Sequence, residues 1–163
     1  MVLNMIMQQA IQPALALLPP KMDTKEARVE MLAIGQQETE FLTRVQRLNG
    51  GKRGAARSYW QMERGGGVLG VLTHASTKFL AQEVCKARDV PANSLDVWNA
   101  MEHDDVLGAA FARLLLWTDP FRLPSVNNAA GGWALYERVW RPGKPHPEKW
   151  PAYHAQARAP VLA

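Results

Sequence analysis

Met31, Ile34, Glu38, Phe41 and Val45 recur at spacings of 3, 4, 3 and 4. That spacing places all five on one face of a helix, and the face is apolar except for Glu38. A chain with this pattern must seat a carboxyl group against its core. Loss of water disfavours the charged form of a carboxyl. A carboxylic acid kept protonated near neutral pH is what general-acid catalysis uses. Two structural readings stand beside that one: a residue at the rim of the core, or a carboxylate paired with an arginine.

The rest of the chain reads as all-α. The pattern predicts a first helix over about residues 3–18, stopped by Pro19-Pro20. Asp23 reads as an N-cap with Glu26 in the capping-box position, opening a second helix that runs to about residue 48 and ends at Asn49-Gly50-Gly51. Residues 52–67 are glycine-rich and predict a loop or short hairpin. Further helices are expected after Ser76, after Ser94, from Asp104 to Trp117, and over about residues 131–140. Five prolines from Pro142 to Pro160 predict an extended arm, in which Trp150 and Tyr153 pack against the domain or a neighbouring subunit. The expected organisation is one domain over 1–141 and a Pro/Trp-rich arm over 142–163.

Composition excludes several classes. With 163 residues, 47% hydrophobic and 21% charged, the chain has the balance of an ordinary globular domain able to bury a core. The single cysteine, Cys85, rules out an intramolecular disulfide and reads as a small buried hydrophobe. Four scattered histidines, without HExxH or a cysteine pair, predict neither a metal site nor a cofactor. A net charge of +4 favours acidic partners. The one basic run, Lys52-Arg53 with Arg57, lacks the density of a phosphate-tracking stripe, so nucleic acid is not expected. The N-terminal stretch carries no Lys or Arg before its apolar run, which predicts a packing helix rather than a secretory signal, and no run is long enough for a membrane span.

Four segments carry a resemblance. They are Gln37-Glu38-Thr39-Glu40-Phe41, Gly54-Ala-Ala-Arg-Ser-Tyr-Trp-Gln-Met62, Asp105-Val-Leu-Gly-Ala-Ala-Phe-Ala-Arg-Leu-Leu115 and Trp133-Ala-Leu-Tyr136. In this order they resemble the soluble lytic transglycosylases, which have a lysozyme-like fold and cleave the β-1,4 bond between N-acetylmuramic acid and N-acetylglucosamine to leave a 1,6-anhydro sugar. The resemblance implies that Glu38 is the catalytic acid. It places Thr39 beside that acid, Gln61 in the cleft, and the Tyr136 hydroxyl close to Glu38. Ser58, Trp60 and Thr39 replace the family's Gly, Met and Ser, and Glu137-Arg138-Val139 replaces its Asn-Ala-Gly. The short chain and tryptophan-rich end resemble small phage virion or tail proteins. That implies peptidoglycan and other virion proteins as partners, with self-association through the arm and a tail-associated location. A structural virion protein that keeps the fold is the alternative.

The residues allow the chemistry without the family. Glu40 lies two positions from Glu38 and points elsewhere on a helix. Glu63 is the one loop carboxylate that could approach. Substrate-assisted cleavage needs only one enzyme acid, because the substrate's N-acetyl group stabilises the oxocarbenium-like centre. Tyr59 and Trp60 flank Gln61 and are candidate sugar-stacking faces, with core packing as the other reading. Arg57 could meet muramyl carboxylates or pair with Glu63. His103, Asp104 and Asp105 sit at a helix start, where capping and the helix dipole account for both aspartates.

Overall fold

The computed structural model describes residues 2–163. The chain opens with α1 (Val2–Ile6), a single π turn (Met7–Ile11) and α2 (Gln12–Ala16), which together bury Ile6, Met7, Ala10, Ile11, Ala14 and Leu15. The helical run stops before Pro19-Pro20, as the sequence predicts. Next comes α3 (Lys25–Thr39). Its N-cap is Thr24, not Asp23: the Thr24 hydroxyl accepts from the Ala27 N–H at 3.0 Å. Both Asp23 oxygens are taken instead by Arg28, at 2.7 and 2.9 Å.

The largest departure from expectation follows α3. The helix ends at Thr39 rather than near residue 48, and Glu40 and Phe41 both take left-handed backbone, with φ of 52° and 56°. The chain reverses, and the Phe41 ring comes down on the Cα of Gly35, where a Cβ would meet the ring's Cζ and Cε1. Val45 then lies in a strand, so the five-residue face continues only to Glu38. Three strands follow: β1 (Val45–Arg47), β2 (Arg53–Arg57) and β3 (Met62–Glu63). They form an antiparallel sheet in the order β1-β2-β3, with Val45 opposite Arg57, Arg47 opposite Arg53 and Arg57 opposite Met62. An irregularity between Val45 and Arg47 is filled by the Gln46 side chain, whose Oε1 accepts from the Ala56 N–H at 3.2 Å. Helices hold 64% of the residues, but this sheet makes the fold mixed α/β and corrects the all-α expectation.

The remaining elements are α4 (Leu69–Thr73), α5 (Lys78–Ala87), α6 (Ser94–Ala100), α7 (Asp105–Trp117), α8 (Ala129–Trp140) and α9 (Trp150–Leu162). Asp104 caps α7 through the Leu107 N–H, and Asn93 and Asn128 cap α6 and α8. The core is centred on α7, whose residues from Leu107 to Leu116 are all buried, against α2, α3, α4 and α5.

The expected extended arm is a helix. Pro151 stands in the first turn of α9, where a missing N–H costs nothing, and Pro160 stands in the last. Trp150, His154 and Ala157 are buried, and α9 packs on α3 and α8. The Gln36 amide donates to Gln156 Oε1 at 2.7 Å, and the Trp150 indole N–H donates to the Ala129 carbonyl at 2.8 Å. No described helix is long and apolar enough to cross a membrane.

The Phe41 reversal gives a test. Gly35→Ala should destabilise the fold by about 1–3 kcal/mol, the usual cost of overpacking a filled site. Urea unfolding monitored by tryptophan fluorescence checks it, and an unchanged midpoint would mean that the ring does not seat on Gly35.

Candidate functional site

Glu38 occupies the last turn of α3, held there by the reversal that follows. The Thr39 hydroxyl donates to the Tyr59 carbonyl at 2.9 Å and accepts from the Phe41 N–H at 3.2 Å, tying the end of α3 to the β2–β3 turn. From the other side α8 brings Tyr136, whose hydroxyl donates to Glu38 Oε1 at 2.9 Å. The Tyr136 ring is buried and stacked on Trp150, with centroids 5.5 Å apart and planes at 12°, and Trp133 lies 5.3 Å away. The phenol is therefore fixed by two aromatic rings and offers its proton in one direction.

Burial pushes the Glu38 carboxyl up to about 7, and the Tyr136 hydrogen bond works against that by favouring the carboxylate. No cation and no second carboxylate contributes to the shift. Among the described residues Glu38 has no ion-pair partner, so the arginine-paired reading does not describe it. Burial and the neighbouring Glu38 push the Tyr136 phenol up, which keeps it a donor.

A cavity of about 600 Å³ is lined by Gln61, Glu63, Gly65–Gly67, Trp140 and Arg141, among others. Gln61 is held by its own amide, which donates to the Ser58 carbonyl at 2.8 Å. Trp140 stands one turn beyond Tyr136 on α8, and its indole N–H donates to the Trp60 carbonyl at 2.7 Å. The Trp140 and Tyr136 rings are 6.4 Å apart, so α8 links the Glu38 contact to the cavity wall. Neither Glu38 nor Tyr136 is among the residues lining this cavity.

The other sequence candidates fall into the frame. Trp60 is fully buried, its indole N–H donates to the Met31 carbonyl at 2.8 Å, and its ring meets Phe41 edge-on. Tyr59 is buried beneath the Arg44 guanidinium, which pairs with Asp105 at 2.7 and 2.8 Å. Arg57 lies over Trp98 at 4.2 Å and donates to the Gly54 and Ala56 carbonyls; its carboxylate neighbour is Glu102, not Glu63. Glu63 is exposed on the cavity wall. Thr39 is a brace. Gln61 and Tyr136 are thus the candidates that the structure brings to the cavity and to Glu38. Trp140 and Arg141 were missed as cavity residues; the sequence signal for Trp140 was its place four residues after Tyr136.

Burial pushes the Cys85 thiol up to about 11, which leaves it inert at neutral pH. No cluster of three or more described His, Cys, Asp or Glu side chains could hold a metal ion. Comparison with protein-family models, curated proteins and solved structures finds no match.

Glu38 holds its proton more tightly in the folded chain than its ordinary value of 4.5. Its contribution to stability is therefore complete below about pH 4.5 and is lost as pH rises through about 7. Glu38→Gln cannot ionise and keeps an acceptor for Tyr136. It should be more stable than the parent at pH 8, by up to about 3 kcal/mol, and equal to it near pH 4. Thermal melts across that range check both limbs, and a parallel pH dependence in the two proteins would contradict the burial of the carboxyl.

Proposed function

We propose that this chain cleaves peptidoglycan glycan strands as a lytic transglycosylase, with Glu38 as its single acid and base. The observation that carries the reading is the Glu38 carboxyl itself: raised to about 7 by burial, held by the Tyr136 hydroxyl, and free of any cation that would fix its charge. A group poised near the working pH serves equally well as proton donor and proton acceptor. The Ser58 backbone adds support. The family resembled here has glycine at this position, and Ser58 has φ of 69°, the left-handed region that glycine enters without strain.

In this reaction Glu38 protonates the bridging oxygen as its bond to C1 breaks, and the leaving sugar departs with a free hydroxyl. The N-acetyl carbonyl oxygen bonds to C1 and takes up the positive charge. Glu38, now a carboxylate, removes the proton from the C6 hydroxyl. The C6 oxygen then bonds to C1 as the carbonyl oxygen leaves, giving the 1,6-anhydro sugar and returning Glu38 to its protonated form. Tyr136 holds the carboxyl through both steps. Gln61 and Trp140 offer a hydrogen-bonding amide and an aromatic face to the glycan along the cavity.

A second reading, a structural virion component that keeps the fold without turnover, has one observation in its favour. The Gln37 amide donates to the His146 carbonyl at 3.0 Å, so the segment before α9 crosses the end of α3 beside Glu38.

Digestion of purified peptidoglycan, with products read by mass spectrometry, separates the two. The enzyme reading expects anhydromuropeptides from the parent chain, and a loss of about 10²–10⁴-fold in Glu38→Gln. No product from either protein would favour the structural reading. Equal product from both would remove Glu38 from catalysis. For the active chain kcat/KM should fall about tenfold per pH unit above pH 7, because the free enzyme must carry the Glu38 proton. A profile flat from pH 6 to 9 would sink the assignment.

A further inference from the structure

Arg113 is a charged side chain in the wrong place for a core residue. It lies within α7, flanked by Ala112 and Leu114, and is 2% exposed. Its Nε donates to the Met22 carbonyl at 2.9 Å. Among the described residues no carboxylate stands within ion-pair distance, since Asp23, the nearest influence, is held by Arg28. Burial of so large a cation without a counter-ion is costly, and it pushes the Arg113 guanidinium down to about 10. The side chain faces a cavity of about 750 Å³ between the end of α7 and the loop 118–128, within the usual size for small-ligand sites.

The walls of that cavity define what fits it. Trp117 lies under the Arg113 guanidinium at 5.3 Å and under the Lys21 ammonium at 5.5 Å, so one indole supports two cations. Phe121 is 70% exposed and also lines the cavity. Arg122 adds a third positive charge at the rim. Against these stand Glu26 and Asp119, and Asp119 is neutralised by Arg138 at 2.8 and 3.0 Å. The field is positive, the walls are aromatic, and the one deeply placed group is a planar fork that matches a carboxylate.

We propose that this cavity binds a small aryl carboxylate, its carboxylate on Arg113 and its ring against Trp117 and Phe121. The site does not depend on the function assigned to Glu38, and it meets the Gln61 cavity only at Asp119 and Pro120.

Titration of the ¹⁵N-labelled full chain tests it, with phenylacetate as probe, 2-phenylethanol as the same ring without the charge, and inorganic phosphate as the charge without the ring. Saturable shifts of the Arg113 Nε–H and Trp117 indole resonances with phenylacetate, and neither with 2-phenylethanol nor with phosphate, are expected. Arg113→Met should bind at least about tenfold more weakly. Should that variant fail to fold, the exposed Lys21→Glu carries the test with a several-fold loss. Absence of saturation with phenylacetate, equal binding of 2-phenylethanol, or unchanged affinity in the variants would overturn the proposal. Saturation by phosphate alone would also overturn it and mark a phosphoryl site instead.

Discussion

The fold turns on the contact between Phe41 and Gly35. Two successive left-handed residues, Glu40 and Phe41, are expensive for side chains with a Cβ, and the local hydrogen bond from the Phe41 N–H to the Thr39 hydroxyl offsets only part of that. The return is tertiary. The Phe41 ring reaches the bare Cα of Gly35 and meets Tyr59 and Trp60 edge-on at 5.3 and 5.8 Å. That cluster closes the sheet onto the end of α3. Because the helix stops one residue after Glu38, the carboxyl sits at the end of a buried helix, where one oxygen can meet Tyr136 from α8.

The same contact explains what the sequence could and could not disclose. Capping and proline stops are local, so Asp104, the end at Pro19-Pro20 and the α6 to α8 starts were legible to within a residue or two. The end of α3 has neither glycine nor proline, and its apolar spacing runs on through Phe41 and Val45, so the pattern read as one long helix. Only the packing of Phe41 on Gly35 breaks it. β1 was missed as a consequence, since it fell inside the expected helix, whereas β2 and β3 pair within the 52–67 segment read as a loop or short hairpin. Residues 142–163 failed differently. A count of prolines argued against regular structure, but their positions matter more: Pro151 lies where a helix has no N–H to lose, and Trp150 anchors that end through Ala129.

At the candidate site, the desolvated acid was legible and its surroundings were not. An acid on an apolar stripe must lose water wherever the stripe packs, so burial of Glu38 followed from spacing alone. The identity of Tyr136 as its partner came through the family resemblance. The aromatic residues around Gln61 were ambiguous because Trp and Tyr serve cores and sugar sites alike. Here Trp60 and Tyr59 are inside, and Trp140, on another element 80 residues from Trp60, lines the cavity instead. Sequence proximity to Gln61 was the wrong guide, because the β2–β3 turn points its two rings inward to meet Phe41.

A second buried acid on α3 shows why Glu38 is the one suited to proton transfer. Glu30 lies two turns earlier on the same helix, with Oε2 against the bare Cα of Gly132 and with Oε1 lacking any partner. Burial pushes it well above the ordinary value, with no hydrogen bond to offset the cost. Burial likewise pushes His154 down, so for both groups the α3–α8–α9 seam favours the uncharged form. Glu30 is 2% exposed, and no substrate can reach a proton held there. Glu38 shares its desolvation but is partly open, and the Tyr136 hydroxyl brings it back to about 7. Desolvation alone only biases an acid toward its neutral form. Desolvation offset by one oriented donor, at the end of the helix and not in its middle, makes an acid that can give up its proton and take it back.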